Sequence, residues 1–547
     1  MRGWGAVRIA LVALALLAGL APTSPASGGP PVPAPTLSLP PAGIHGYPLW
    51  DSWYDLAPFG YQEQEYLVSG TAKDAAGVVK PYTTRIIVTR PASAADFNGT
   101  VLLDWVNVTA QFENAVDTLE ANPMLVREGY AFVHVSAQSA GLCCIPLTPK
   151  VWDPVRYASL SHPGDDWSFD MFSQIAQAFQ NPKGGPSLDP MGSLGSGSVQ
   201  HVLAAGQSQS ALRLRDYLDQ WLPTHPEAVG LVDGVLIHGD IGAAKPFHHP
   251  LPVKVLNLRS DAEADDDHFD PAKADPSYRL WEVAGTAHSD YWIGHQSVFG
   301  HGPRVLAFAA PQTKAQHDAT LLAAGNYGEQ LQPELLTCVV AGATMPMHYA
   351  ASSAIFQLDR WVRGGAAPDN GNRFRFSGGK LATDALGNTL GGIRLPPIDV
   401  PVARYESTTC ELGGLTIPLT DVELAQRYGT HAHYYALMRT ATDRAVAEGW
   451  ILPEDAIDLM ARACAAKNRF PDTTDPCAAY HPPAYDTVAP TVDEPTTTTT
   501  AAPTTSAPAV SSSDDHLPVT GGDAPLAPIG LAALAGLVLI ALRRRLA

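Results

Sequence analysis

The chain has 547 residues, 46% of them hydrophobic and 16% charged, enough apolar sequence for one large core or two modest ones. Lys and Arg number 35 against 54 Asp and Glu, a formal net charge of -19. That balance argues against a nucleic-acid partner, whose phosphates call for clustered cations, and fits a polypeptide kept dispersed by self-repulsion.

The first 27 residues carry Arg2 and Arg8, an apolar stretch at 9–20, and small residues around Ala26. This is the pattern of a secretory signal peptide. Residues 28–48 are rich in Pro and Gly and are expected to be poorly ordered. Folded sequence is expected over 49–485. Runs at 82–89 (YTTRIIVT), 100–108 (TVLLDWVNV), 130–135 (YAFVHV), 199–205 (VQHVLAA), 233–238 (DGVLIH), 253–258 (VKVLNL) and 278–283 (YRLWEV) read as strands. Helical patterns fall between them at 114–128, 168–179 and 208–221. This alternation predicts an α/β fold, and the apolar strands predict a mostly parallel central sheet flanked by helices. Residues 311–483 follow as an extension or cap, with a strand-and-turn stretch at 391–405 and helical patterns over 421–465. No Pro/Ser linker precedes residue 483, so this part is expected to pack on the same domain.

Six cysteines, Cys143, Cys144, Cys338, Cys410, Cys464 and Cys477, stand in a chain whose start points to export, where disulfides persist. Cys464 with Cys477 is a short-range pairing. Cys338 with Cys410 is then a reasonable second bridge, and the vicinal Cys143 and Cys144 pair with each other or with separate partners. Six cysteines allow 15 pairings, so spacing does not fix the connectivity.

The run VQHVLAA leads directly into Gly206-Gln207-Ser208-Gln209-Ser210, and a helical pattern follows. Strand, tight turn with a central serine, then helix is the context of a nucleophile elbow. A serine hydroxyl is a poor nucleophile until a base takes its proton, and a turn of this kind exposes Oγ beside backbone N–H donors for the developing oxyanion. The usual G-x-S-x-G pattern is broken at its last position by Ser210.

An acid is expected after a later strand and a histidine after the last one. Glu263 fits the acid, with Asp261 as its rival, and His288 fits the base. Gln209 N–H is the expected oxyanion donor, with a second from the backbone around Trp105 to Asn107. Asp261, Glu263, Asp265, Asp266 and Asp267 suggest cation binding, but Asp266 occupies the turn position where an EF-hand needs Gly. A solvated acidic loop is the expectation, with no metal and no cofactor.

The stretches DWVNVT, YAFVHVSAQSAG, RYASLSHPGDDWSFDMFSQ, AAGQSQSALRL, LWEVAGTAHSD and GGIRLPPIDVPVARY resemble the large bacterial α/β-hydrolase-domain proteins of esterase-like activity. The resemblance spans roughly 82–414, and it carries GQSQS as that family's own form of the elbow. It implies the α/β-hydrolase fold, a triad of Ser208, Glu263 and His288, and carboxylic-ester hydrolysis through an acyl-enzyme. A small-molecule or polymer ester is the implied partner. A non-catalytic surface-binding protein on the same scaffold, or a peptidase using the same triad, are the competing readings.

A Pro/Thr/Ser-rich stalk at 486–516 precedes Leu517-Pro518-Val519-Thr520-Gly521, an apolar segment at 526–542, and the basic tail 543–547 with Arg543-Arg544-Arg545. The three parts in this order resemble an LPxTG cell-wall sorting signal. That resemblance implies cleavage by a sortase between Thr520 and Gly521 and attachment to peptidoglycan. The membrane is then met only through the apolar segment, held by arginines on the cytoplasmic side. The expected location is the cell wall of a secreting cell.

Overall fold

The computed structural model describes residues 31–240, 246–266, 269–295, 302–305, 342–410, 412–472 and 477–483, with Thr313 and Ala315. A nine-stranded sheet runs through it in the order β1-β2-β3-β5-β4-β6-β7-β8-β9. The strands are β1 (Thr36–Ser38), β2 (Tyr61–Lys73), β3 (Val79–Pro91), β4 (Thr100–Trp105), β5 (Ala131–Val135), β6 (His201–Gln207), β7 (Gly234–His238), β8 (Lys254–Arg259) and β9 (Tyr278–Glu282). Strands β1, β2, β3 and β5 pair antiparallel, and β5, β4, β6, β7, β8 and β9 pair parallel.

Side chains leave alternate faces of a strand, and the two faces fill two separate cores. Leu102, Leu203, Leu236 and Leu256 share one with Leu119 and Leu125 of the helix Val116–Arg127 and with Ile355 and Leu358 of the helix Met347–Val362. Val101, Leu103, Val202, Ala204, Val235 and Val255 share the other with Phe172 and Phe179 of the helix Ser168–Gln180 and with Leu214 of the helix Gln209–Asp216. Burial on both faces is what a parallel sheet requires.

The extension is part of this sandwich. Its helix Met347–Val362 lies against β7, β8 and Val116–Arg127, so part of the cover of one sheet face comes from sequence read as an extension or cap. The helical stretch at 421–465 divides into three helices. Asp421–Tyr428 and His431–Ala447 are each followed by a glycine at positive φ, Gly429 and Gly449, and Pro453 opens Pro453–Ala465 at its first position. The stretch at 391–405 holds a short helix, Pro396–Asp399, and a strand, Ala403–Glu406, paired with Leu415–Pro418.

Two expectations need correction. Residues 28–48 were expected to be poorly ordered, yet Thr36–Ser38 pair in register with Ser69, Val68 and Leu67 of β2, and Leu37 is buried. One buried leucine and three paired residues outweigh a Pro-rich composition. The long strand β2 is absent from the sequence reading altogether. Its sequence YQEQEYLVSGTAK is polar, but Glu65 is buried because cations meet it there.

That buried group ties four segments together. The Arg85 guanidinium donates to Glu65 Oε1 at 2.8 Å, to the Leu49 carbonyl at 2.9 Å and to Tyr157 Oη at 3.0 Å, and it also bonds Glu113. Arg156 Nε donates to Glu65 Oε2 at 2.6 Å.

Cys143 and Cys144 are bonded to each other, and Cys464 to Cys477. Cys410 is disulfide-bonded, and Cys338 lies outside the described residues. No described helix is long and apolar enough to cross a membrane. The apolar segments at 9–20 and 526–542 and the motif Leu517 to Gly521 lie outside the described residues.

Removing one partner of a buried ion pair leaves an uncompensated charge, which costs about 3–5 kcal/mol. Arg85→Ala is expected to lower unfolding free energy by that order in a urea titration. A loss under about 1 kcal/mol would show that the network is dispensable.

Candidate active site

The parallel strands end together. Gln207 pairs with His238, His238 with Leu258, and Arg259 with Glu282. Strand β4 has β5 on one side and β6 on the other. The order of strands therefore reverses at β4/β6, and in such sheets the crevice at the carboxyl ends is where ligands bind. Asn107 spans this crevice, its Nδ2 donating to the Gln207 carbonyl at 3.0 Å.

Ser208 stands on the turn between β6 and the helix Gln209–Asp216 with φ 61° and ψ -119°. A non-glycine residue in such a conformation costs on the order of 1–3 kcal/mol and persists only where its surroundings impose it. Here Ser208 N–H donates to the His238 carbonyl at 2.8 Å, and Leu212 N–H donates to the Ser208 carbonyl at 3.1 Å. Gly206 is needed for close approach, because a Cβ there would lie 3.0 Å from Leu214 Cδ1 and from the Ser210 backbone. Ser210 fits the last motif position by folding back, its Oγ donating to the Gln207 carbonyl at 2.8 Å. Gln209 N–H has no hydrogen-bond partner among the described residues, as the first N–H groups of a helix do not.

Glu263 and Asp261 share a single helical turn, Asp261–Glu263, opened by a reciprocal cap from Ser260. Ser260 N–H donates to Glu263 Oε2 at 2.6 Å, and Glu263 Oε1 bonds His288 Nδ1. Asp261 points elsewhere. Its Oδ2 accepts from Gly285 N–H at 3.1 Å, Thr389 Oγ1 at 2.6 Å and Ser407 Oγ at 2.5 Å. Of the two rivals, Glu263 meets the histidine, and Asp261 ties its turn to the extension. Both are buried, which corrects the expectation of a solvated loop for this part; Asp266 alone of the described carboxylates there is exposed.

Burial pushes the Glu263 carboxyl up, but His288 and the Ser260 donors outweigh it and hold the group below its ordinary value. Burial pushes Asp261 up to about 6 against the same kind of donors.

With Glu263 on Nδ1, that nitrogen carries the proton, and Nε2 is left as an acceptor. Gln207 takes it. Its Nε2 lies 3.2 Å from His288 Nε2 and 3.0 Å from the His288 carbonyl. Ser208 Oγ makes no hydrogen bond to His288 in this arrangement. Gly239, at φ +63°, borders the ring, and a Cβ there would sit 3.2 Å from Nδ1. Ser208 and His288 are 6% and 5% exposed, so the edge is nearly covered.

The expected donor around Trp105 needs correction. Trp105 lies inside the ladder of β4, fully buried, with its indole donating to Gln138 Oε1 at 3.0 Å and its ring 4.9 Å from that of Phe172. The next two N–H groups are committed, Val106 to the Val135 carbonyl and Asn107 to that of Asn114.

Sequence reasoning missed Gln207, Gly239 and a second imidazole–carboxylate pair, His238 Nδ1 with Asp117 Oδ1 at 2.9 Å. The one available signal was position: the predicted strand 233–238 ends at His238.

A family model described as an alpha/beta hydrolase domain matches residues 31–461. The chain belongs to that family. It is a hydrolase-fold protein with a mostly parallel central sheet. The comparison with curated proteins finds no match. Among solved structures, esterase Est22 is similar at 12% identity over 36% of this chain and 50% of that one, with a TM-score of 0.23. Prolyl endopeptidase is similar at 14% identity over 41% and 35%, TM-score 0.23. The rice cell wall degrading esterase LipA from Xanthomonas oryzae follows at 15% identity over 32% and 42%, TM-score 0.19. The matched part thus spans half or less of each of these chains.

A carboxyl whose folded pKa is raised binds a proton that the unfolded chain has released. Its contribution to stability is therefore full below the unfolded value and declines as pH rises to the folded one. For Asp261 that window runs from about pH 4 to about 6. Asp261→Asn is expected to gain stability relative to the parent across this window, by on the order of 2–3 kcal/mol, and by no more above it. Urea titrations of both proteins at pH 4, 5, 6 and 7 measure this. A pH-independent difference would mean that the Asp261 carboxyl ionises normally.

Proposed function

We propose that this chain is a serine hydrolase that cleaves carboxylic esters through an acyl-enzyme. The observation that carries the reading is Ser208 held at positive φ on a strand–helix turn, next to Gln207, which bonds a histidine whose Nδ1 is bonded to Glu263. In the proposed cycle, His288 Nε2 takes the Ser208 proton as Oγ adds to the ester carbonyl. The tetrahedral oxyanion accepts from Gln209 N–H. The histidine then gives its proton to the departing alkoxide oxygen as the C–O bond breaks. Water, deprotonated by the same nitrogen, releases the acid and restores Ser208. Glu263 fixes the tautomer and stabilises the imidazolium without itself taking the proton.

We further propose secretion, guided by residues 1–27, and cell-wall attachment through sortase action at Leu517-Pro518-Val519-Thr520-Gly521. The support is the order of charges, apolar segment and motif at the two ends.

A non-catalytic surface-binding role is the competing reading, and the observation on its side is Gln207 at His288 Nε2. A fluorophosphonate probe separates the two. Labelling of the parent protein is expected, with none for Ser208→Ala. Turnover of p-nitrophenyl butyrate is expected to fall by about 10³-fold or more in Ser208→Ala and in His288→Ala. A folded parent protein that is neither labelled nor active would sink the hydrolase reading.

A further inference from the structure

We propose that Glu120, Asp290 and His348 form a binding site for one divalent transition-metal ion, of the Zn²⁺ or Mn²⁺ kind, behind the candidate active site. One ligand atom from each of the three lies within 4.8 Å of the others. The residues come from three elements that sequence separates widely. Glu120 is on the helix Val116–Arg127, Asp290 follows His288 by two residues, and His348 is in the first turn of Met347–Val362.

The second observation is the state of these side chains. Glu120 is fully buried, and neither of its carboxylate oxygens has a hydrogen-bond partner. His348 is 6% exposed, and neither of its ring nitrogens has one. Buried polar atoms are nearly always paired, and an exception calls for a ligand. The neighbourhood makes the shortage worse. Asp117 Oδ2 and Asp104 Oδ1 are also unpaired, and the charges acting on Glu120 are those of Asp290 and Asp117, both negative.

A proton shared by Glu120 and Asp290 would satisfy part of one carboxyl and leave both nitrogens of His348 unserved. Asp290 already accepts from Ile293 N–H at 3.0 Å, and a cation beside it would serve the two residues that lack partners, Glu120 and His348. The ring of Trp292 stacks on the His348 imidazole at 3.9 Å and 5°, fixing its plane while leaving both nitrogens free. One imidazole nitrogen with two carboxylates suits Zn²⁺, Mn²⁺ or Fe²⁺, whereas Ca²⁺ and Mg²⁺ favour sites built from oxygen alone. Bonds of roughly 2.0–2.2 Å bring ligand atoms to about 3–4 Å from one another, so binding would draw the three side chains together from the present spacing. The ion would clamp the segment carrying His288 to two helices of one sheet face.

The test uses the full-length protein purified without chelators. Elemental analysis is expected to find about one equivalent of a transition metal. EDTA treatment is expected to remove it and lower Tm, and Zn²⁺ or Mn²⁺ to restore it. Glu120→Gln and His348→Ala, each checked for fold by circular dichroism, are expected to retain less than a tenth of an equivalent. Unchanged metal content in both variants would overturn the site. So would a parent protein whose Tm ignores EDTA and every added ion, or responds only to Ca²⁺ or Mg²⁺. Fluorophosphonate labelling in the same samples is an independent readout, so loss of the metal proposal and loss of the hydrolase proposal are told apart.

Discussion

The in-register ending of β6, β7, β8 and β9 is the constraint on which the site depends. Hydrogen bonding along a parallel ladder fixes each strand's height relative to its neighbour. Once Gln207 is level with His238, and Arg259 with Glu282, the residues that follow each strand share one edge. Ser208, Gly239, the Asp261–Glu263 turn and the loop to His288 are those residues. None is a neighbour in sequence of the one it serves. A slip of one residue in any strand would turn its apolar side chains to the opposite core and carry a site residue off the edge with it. The two buried cores therefore enforce the chemistry's geometry as well as the stability of the sheet.

Charge inside this fold is handled in two contrasting ways. On the antiparallel side, Glu65 and Glu113 face Arg85 and Arg156, and hydrogen bonds hold the group at known distances. Attraction there offsets the desolvation of four charges. On the parallel side, Asp104, Asp117, Glu120 and Asp290 crowd together, and His238 is the imidazole bonded to one of them. Burial pushes Asp290 up to about 7 and Asp104 and Glu120 well above the usual carboxylate range. Four acids placed beside the candidate active site without comparable compensation are an expensive arrangement for stability alone.

Local pattern made some of this legible and long-range pairing hid the rest. Each of the seven predicted strands has a counterpart, because β-branched runs between helical patterns leave a signal within a few residues. Ends were less legible. The run at 100–108 stops at Trp105, where Asn107 leaves the ladder to pair with Asn114. Strand β2 was invisible because Glu63 and Glu65 look like surface residues until Arg85, Arg156 and Thr89 arrive from elsewhere. The choice between Asp261 and Glu263 lay beyond spacing. It turns on the Ser260 cap, which aims one carboxyl at His288 and leaves the other to the hydroxyls of the extension. The Glu120, Asp290 and His348 group had no signal at all, since periodicity reports which face a residue takes and not what crosses from another element.

The pairing of Gln207 with His288 bears on how such a site works. An amide on an imidazole nitrogen is a neutral hydrogen bond, with a net contribution of about 0.5–1.5 kcal/mol. The Glu263 contact on the opposite nitrogen is charge-assisted, because that carboxyl is held below its ordinary value and accepts as a carboxylate, and such bonds are roughly twice as strong. The ring is therefore held firmly from the Glu263 side and loosely from the Gln207 side. Replacing Gln207 by a serine hydroxyl at Nε2 restores one neutral hydrogen bond, while the displaced amide also gives up its bond to the His288 carbonyl. The net loss of one neutral hydrogen bond, about 0.5–1.5 kcal/mol, does not exceed the cost of the positive φ at Ser208, which the backbone bonds to His238 and Leu212 already maintain. The strained part of the geometry is thus held by the backbone, and Gln207 is the side chain that the proposed triad would have to displace from His288.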